Sequence, residues 1–223
     1  MKFQTDYKYT DRKTKSKYVY EKYKSILKNS ILDIGADNCY LKENLPDNVT
    51  YTGIGLGDHP DLLKIDLEKE AIFLDNDSYY CVLCLDVLEH LDNIHDVFAE
   101  CCRITSRYLI LSFPNPWADL MNSLRFNKYR DNKNLKFYGL PVKPEEDRHK
   151  WFFPFSELKT FVEINAQKNA MKIIDVQVNN EHFHKNIKNF YHIALMKLLF
   201  RKDIELSDLY YGTSWWVLEK HND

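Results

Sequence analysis

Apolar residues fall in short, nearly unbroken runs along the chain, and the polar stretches between them carry either turn residues or helical spacing. Residues 30–35, Ser-Ile-Leu-Asp-Ile-Gly, predict a strand ended by glycine. Runs at 49–54, 62–65, 79–85 and 108–113 predict four more, the last stopped by Pro114-Asn115-Pro116. Runs that do not alternate suit parallel strands covered on both faces. Tyr18, Val19, Tyr23, Ile26 and Leu27 follow helical spacing inside a basic, tyrosine-rich segment, residues 8–28. Val97, Phe98, Cys101 and Ile104 predict a second helix, with Asp92 or Asn93 as its cap. Helices over 155–169, capped near Ser156, and 185–200 follow, with strands at 171–178 and 213–218. Strands alternating with helices predict an α/β fold: a doubly wound, Rossmann-like, mostly parallel seven-stranded sheet with helices on both faces. The expected organisation is one domain over 1–223, with an N-terminal helical cover (8–28) and an insert or lid (116–150) too long for an ordinary connection.

Composition narrows the possibilities. The chain has 223 residues, 44% hydrophobic and 29% charged, the balance of a folded globular protein. A formal net charge of −2 argues against nucleic acid as a partner. Only a local basic patch from Lys13, Lys15, Lys17, Lys22, Lys128, Arg130, Lys133 and Lys136 would favour one. No apolar run reaches membrane-spanning length, and residues 1–10 have no apolar signal core, so a cytoplasmic location is expected. Five cysteines leave no closed disulfide framework. Cys81 and Cys84 sit three apart on a strand, on opposite faces, and adjacent Cys101 and Cys102 diverge on a helix, so no metal site is expected. Trp151-Phe152-Phe153 and Trp215-Trp216 are expected in the core. The amphipathic segment 185–201 is expected to pack on the sheet or form a homodimer contact rather than anchor to a membrane.

In an open parallel sheet, ligands bind at the carboxyl ends of the strands, near the switch in strand order. Five loops should therefore line one cleft: Gly35-Ala36-Asp37-Asn38, Gly55-Leu56, Asp66-Leu67, Asp86-Val87 and Pro114-Asn115. The glycines at 53, 55 and 57 imitate a dinucleotide fingerprint. That fingerprint needs a helix directly after them, and Asp58-His59-Pro60-Asp61 is a turn instead.

The run ILDIGADNCYL, Ile31 to Leu41, resembles the first motif of class I S-adenosylmethionine-dependent methyltransferases. YYCVLCLDVLEHLDN, Tyr79 to Asn93, is similar to that family's fourth-strand motif, and YLILSFPN, Tyr108 to Asn115, to its fifth-strand segment. HKWFFPFSEL, His149 to Leu158, resembles a segment of compact bacterial members. The resemblance implies S-adenosyl-L-methionine as cofactor. By it, Asp33 helps hold the ammonium and Gly35 lets the backbone approach the amino-acid portion. A helix begun by Ala36 and Asp37 offers amides to the carboxylate. Gly55 and Leu56 take the ribose positions, and Asp66 accepts the adenine amino group beside the Leu67 backbone. Asp86 and Val87 face the methyl group. The sequence departs from the pattern at Asp37 and Cys39, where glycines are usual, and at Gly55, where an acid usually binds the ribose; Asp58 is the residue expected to reach in. His149, Asn115 and His90 are the candidate catalytic residues. Tyr7, Tyr9, Tyr18 and Tyr20 are a candidate aromatic cover. The implied activity is methyl transfer to an oxygen or nitrogen of a small polar metabolite or sugar-type precursor. The alternatives are a degenerate binding or regulatory protein without catalysis, and an RNA or protein methyltransferase.

Overall fold

The computed structural model describes residues 2–126, 138–140, 143, 148–181, 186, 190–199 and 204–220. A seven-stranded sheet runs through it, with strands β1 (Ser30–Ile34), β2 (Thr50–Gly55), β3 (Leu62–Lys64), β4 (Tyr79–Leu85), β5 (Thr105–Phe113), β6 (Met171–Val178) and β7 (Ser214–Lys220). Their order is β3-β2-β1-β4-β5-β7-β6. The first five pair in parallel, whereas β7 runs antiparallel to both β5 and β6. Strand order reverses between β1 and β4, which opens a crevice above their carboxyl ends.

The pleat sorts the core into two layers. Val82 and Cys84 point into one cluster with Leu109, Leu111, Trp216, α2 (Ile94–Ile104) and α4 (Phe155–Lys168). Cys81 and Leu83 point into the other with Ile110, Trp215 and α1 (Arg12–Tyr23). Cys81 and Cys84 thus diverge as their spacing requires, and all five thiols are buried and free. Trp215 and Trp216 are core residues, one on each face. Among the three aromatics at 151–153 only Phe153 is buried. Trp151 and Phe152 are exposed, contrary to expectation, with the Trp151 indole donating to the Leu91 carbonyl at 2.8 Å.

Capping explains where several helices begin. The Asp11 carboxylate accepts the Thr14 amide at 2.8 Å and the Thr14 hydroxyl accepts the Asp11 amide at 3.1 Å, a reciprocal box that starts α1. Asn93 occupies the N-cap of α2 without capping it, because its side-chain amide donates to the Leu67 carbonyl at 2.8 Å. Ser156 does not cap α4 either. Its amide and hydroxyl bond the buried carboxylate of Asp208, which performs that task from α6 (Leu206–Tyr210).

Two corrections concern connections. The insert expected over 116–150 opens with a helix, α3 (Pro116–Arg125), capped by Asn115, whose side-chain oxygen Oδ1 accepts the Ala118 amide at 3.2 Å. Proline suits the first helical position, since its missing N–H would have no helical partner there. Much of the remaining insert, including Lys128, Arg130, Lys133 and Lys136, lies outside the described residues, as do 187–189 and 200–203 around α5 (Phe190–Leu199). The second correction is larger. No α-helix follows Gly35; the connection to β2 holds only turns and a single 3₁₀ turn, Lys42–Asn44. The link is long enough for a short crossover helix, but Cys39 takes a left-handed backbone, φ +52°, and Pro46 follows, so the chain turns instead of continuing a helix. Instead α1 packs Val19 and Tyr23 against Ala36, Cys39 and Leu41, filling the layer from outside the crossover.

Asn115 also donates its side-chain amide to the carbonyls of Asp208 (3.1 Å) and Tyr211 (2.8 Å), tying α3 to α6. Asn115→Ala is therefore expected to destabilise the chain by about 1–2 kcal/mol, from a lost cap and two buried acceptors left unpaired. Urea denaturation checks this; a midpoint unchanged within about 0.5 kcal/mol would remove the role.

Candidate active site

A cavity of about 910 Å³ opens above the carboxyl ends of β1, β2, β4 and β5. It is lined by Asp33, Gly35, Ala36, Asp37, Gly55, Leu56, Asp66, Leu67, Asp86, Val87, His90, Asn115 and His149, so the fold brings the candidate cofactor and catalytic positions together, Asp58 excepted. They do not all have their groups available to a ligand. The Asn115 polar atoms are committed to α3 and α6, which makes it a scaffold residue. Asp58 lies outside the cavity wall, is 89% exposed at its side chain and pairs with Lys64 at 2.8 Å, so it does not reach in.

The floor is set by backbone. Gly35 has φ +80°, and its amide and that of Ala36 donate to the Ile54 carbonyl at 2.8 and 3.0 Å. These bonds pin the turn against the end of β2. A Cβ at position 35 would stand 2.2 Å from Cγ2 of Val87, so the close approach of the two loops requires glycine.

Asp33 lies beneath this turn. It accepts the Tyr51 hydroxyl at 2.8 Å. Burial pushes its carboxyl up to about 6, against the opposing pull of the Tyr51 bond and the Lys15 charge. Asp66, at the other end, accepts the Glu68 amide and the Lys69 ammonium at 2.7 Å, and those bonds hold its carboxyl below the usual range.

Asp86 adopts a left-handed backbone, φ +55°, which turns the chain out of β4 toward the cavity. Its carboxylate takes the Lys15 ammonium at 2.5 Å and the Ser112 hydroxyl at 2.5 Å. Burial works against its charge, but Lys15, Ser112 and His149 together hold the carboxyl below its ordinary value. Burial likewise opposes charge on Lys15, and the Asp86 carboxylate outweighs it, so the ammonium stays protonated above its usual range.

Lys15 is a site residue that sequence reasoning missed. Helical spacing locates α1, but only the docking of α1 decides that Arg12, Lys15, Ser16 and Val19 face the cavity. The four tyrosines expected as an aromatic cover do not line it. Tyr9 and Tyr18 pack on each other and on Trp215, and Tyr7 lies beneath Lys17. The N-terminal cover is cationic instead. Of its lysines, Lys15 is engaged by Asp86 and Lys22 is buried among Tyr18, Tyr23 and Trp215, whereas Lys13, paired with Glu43, and Lys17 stay exposed.

The far wall is a zipper between two segments distant in sequence. The Lys150 amide donates to the Glu89 carbonyl at 2.8 Å, and the His90 ring bonds the Arg148 carbonyl through Nδ1 at 3.2 Å. The Lys150 ammonium reaches Asp92 at 2.7 Å and also Glu68. His149 is thereby held beside His90, rings 4.4 Å apart and perpendicular, with Tyr138 hydrogen-bonded to its Nδ1 at 2.7 Å. Glu89, His90 and His149 each offer a metal-ligand atom within 4.8 Å of the other two, a convergence that the cysteine spacing gave no reason to expect.

No protein-family model matches the chain, and no curated protein matches it in sequence. Solved structures do resemble it. A SAM-dependent methyltransferase from Archaeoglobus fulgidus is 16% identical, with TM-score 0.55, over 94% of this chain and 95% of that one. Magnesium protoporphyrin IX methyltransferase from Synechocystis PCC 6803, with bound SAH, is 13% identical, with TM-score 0.53, over 94% and 83%. The [4+2]-cyclase SpnF is 9% identical, with TM-score 0.58, over 100% and 86%. The chain thus has the α/β, Rossmann-like fold of class I methyltransferases. Among the described residues no helix is long and apolar enough to cross a membrane.

Proposed function

We propose that this chain is a class I methyltransferase that binds S-adenosyl-L-methionine in the cavity above β1 and β4 and transfers its methyl group to an oxygen or nitrogen of a small polar acceptor. The observation that carries this reading is the gathering of Asp33, Gly35, Asp66 and Asp86, each picked by motif resemblance, around one cavity of about 910 Å³. That volume lies within the usual range for small-ligand sites, about 300–1,000 Å³. Gly35 provides a cradle that a side chain would fill, and Asp33 a buried carboxylate for an ammonium, so the residues present fit the cofactor.

When bound, the cofactor supplies a methyl carbon already activated by its sulfonium. The chain mainly has to bind and orient the two reactants. Asp33 would hold the ammonium and Asp66 the adenine end. Lacking a helix after Gly35, the chain offers Arg12 and Lys15 as the nearby cations for a carboxylate. The histidines and Tyr138 stand where the acceptor would lie. A small acceptor is favoured by the engagement of Lys15 and the burial of Lys22, which remove two of the basic groups on α1 from any RNA-binding surface. A cytoplasmic location is part of the same reading. Gly55 in place of a ribose acid favours a second reading, a binding protein without turnover. One lost charge-assisted contact costs about 1.5–3 kcal/mol, roughly ten- to a hundredfold in affinity.

Calorimetry with S-adenosylmethionine and its demethylated product tests the binding, and turnover to that product with a panel of hydroxylated and amino acceptors tests the chemistry. Absence of heat with either nucleoside would overturn the proposal. Binding without turnover would favour the second reading.

Affinity should also depend on pH in a stated direction. Asp33 is charged only above about 6, and an ammonium needs the carboxylate. Cofactor affinity is therefore expected to be full above that point and to fall up to roughly tenfold per pH unit below it. Asp33→Asn should bind weakly with a flatter profile. A wild-type affinity constant from pH 5 to 8 would refute the assignment.

A further inference from the structure

Outside the cofactor positions, the cavity wall holds a cluster that methyl transfer to a pre-activated carbon does not itself require. Glu89, fully buried, comes from the turn after β4; His90 follows it; His149 arrives from the end of the insert. Their ligand atoms lie within 4.8 Å of one another. Ligands about 2.1 Å from one ion stand roughly 3–4 Å apart, so small side-chain rotations close this cluster around a cation.

Second contacts orient the rings. A carbonyl can only accept, so the 3.2 Å bond to Arg148 places a proton on Nδ1 of His90 and makes Nε2 its basic nitrogen. Tyr138 engages Nδ1 of His149 at 2.7 Å. Such outer partners, a backbone carbonyl and a hydroxyl, are those that fix the rotamer and tautomer of metal-bound histidine. The segments carrying the ligands are locked together by the Lys150 amide, the Trp151 indole and the Lys150 ammonium. The cluster is therefore prepositioned by groups that are not themselves ligands.

We propose that Glu89, His90 and His149 form a binding site for a divalent first-row transition cation, facing the acceptor half of the cavity. Two imidazoles and one carboxylate on one side of an ion form a set with open positions, suited to Zn²⁺, Co²⁺ or Mn²⁺. The open positions point to an acceptor with hydroxyl oxygens, which the cation would hold in place beside Asp86. That last step rests on the methyl-transfer reading; the cation site itself does not.

The test uses the whole chain, stripped with a chelator, without cofactor. Co²⁺ is titrated while its visible absorption is followed, and calorimetry with Zn²⁺ and Mn²⁺ runs in parallel. One equivalent should bind, with visible bands indicating nitrogen and oxygen ligands. His90→Ala and His149→Ala should each weaken binding by about tenfold to a hundredfold. Tyr138→Phe should weaken it by a smaller factor, and His95→Ala, outside the cluster, not at all. Glu89→Gln is a further arm, and because Glu89 is buried the two histidine variants keep the test decisive if that protein does not fold. Failure of all three cations to bind, or binding by His90→Ala and His149→Ala as tight as by the unaltered chain, would overturn the proposal. Separate calorimetry with S-adenosylmethionine keeps the two claims apart: metal binding without nucleoside binding would defeat the methyl-transfer reading and leave this site standing.

Discussion

Gly35→Ala is expected to lower cofactor affinity about a hundredfold or more and to destabilise the fold by about 1–3 kcal/mol. The second figure combines left-handed backbone in a residue with a Cβ, about 1–2 kcal/mol, with a clash that must be relieved. The added carbon would meet Val87 Cγ2 at 2.2 Å, and φ is +80°. Relief requires either Val87 to turn into the cavity or the 35–36 turn to leave the Ile54 carbonyl. Both moves narrow the space beside Asp33. Calorimetry and thermal unfolding read the two effects separately. Gly35→Ala combined with Val87→Ala should regain part of the stability, since the clash goes and the backbone strain stays. Unchanged affinity in the single variant would mean the turn does not border the ligand.

The Lys15–Asp86 pair carries the second large effect. Removing one partner from a fully buried pair costs about 3–5 kcal/mol. Lys15 keeps 17% and Asp86 39% of its side-chain surface open, so solvent screening reduces the expected loss to about 2 kcal/mol for Lys15→Met or Asp86→Asn. The double variant should lose less than the sum, because no charge is left without its opposite. Urea denaturation of all four proteins closes the cycle. Strict additivity would show that the two groups do not stabilise each other.

Legibility in the sequence follows the range of the forces involved. The strand at 79–85 is read to the residue because an apolar run bounded by turn residues reports local burial, and the largely half-buried strand at 171–178 is matched as well. The cavity residues are read nearly as well, because strand carboxyl ends converge by topology alone. Elements with mixed local signals fare worse. Asn115-Pro116 ends a strand and begins a helix with the same two residues, and only the first role is evident beforehand. Asp208 caps α4 from more than fifty residues away, where no local pattern reports it. The helix expected after Gly35 fits the family pattern, but the left-handed Cys39 and Pro46 interrupt the link to β2. Lys15 and the pairing of His90 with His149 depend on how distant segments dock, which no spacing along the chain encodes.

The substitution of an N-terminal helix for an internal crossover has a temporal consequence. Residues 12–23 leave the ribosome well before Trp215 and Val217, which form part of the surface they dock on. Phe3 is held by Gln177 of β6. The segment must wait, solvated, until β7 has been made before its docking surface is complete. The cavity thus gains its cationic cover only after β7 has been made, so a nascent chain cut short of β7 would carry its glycine turn without that cover.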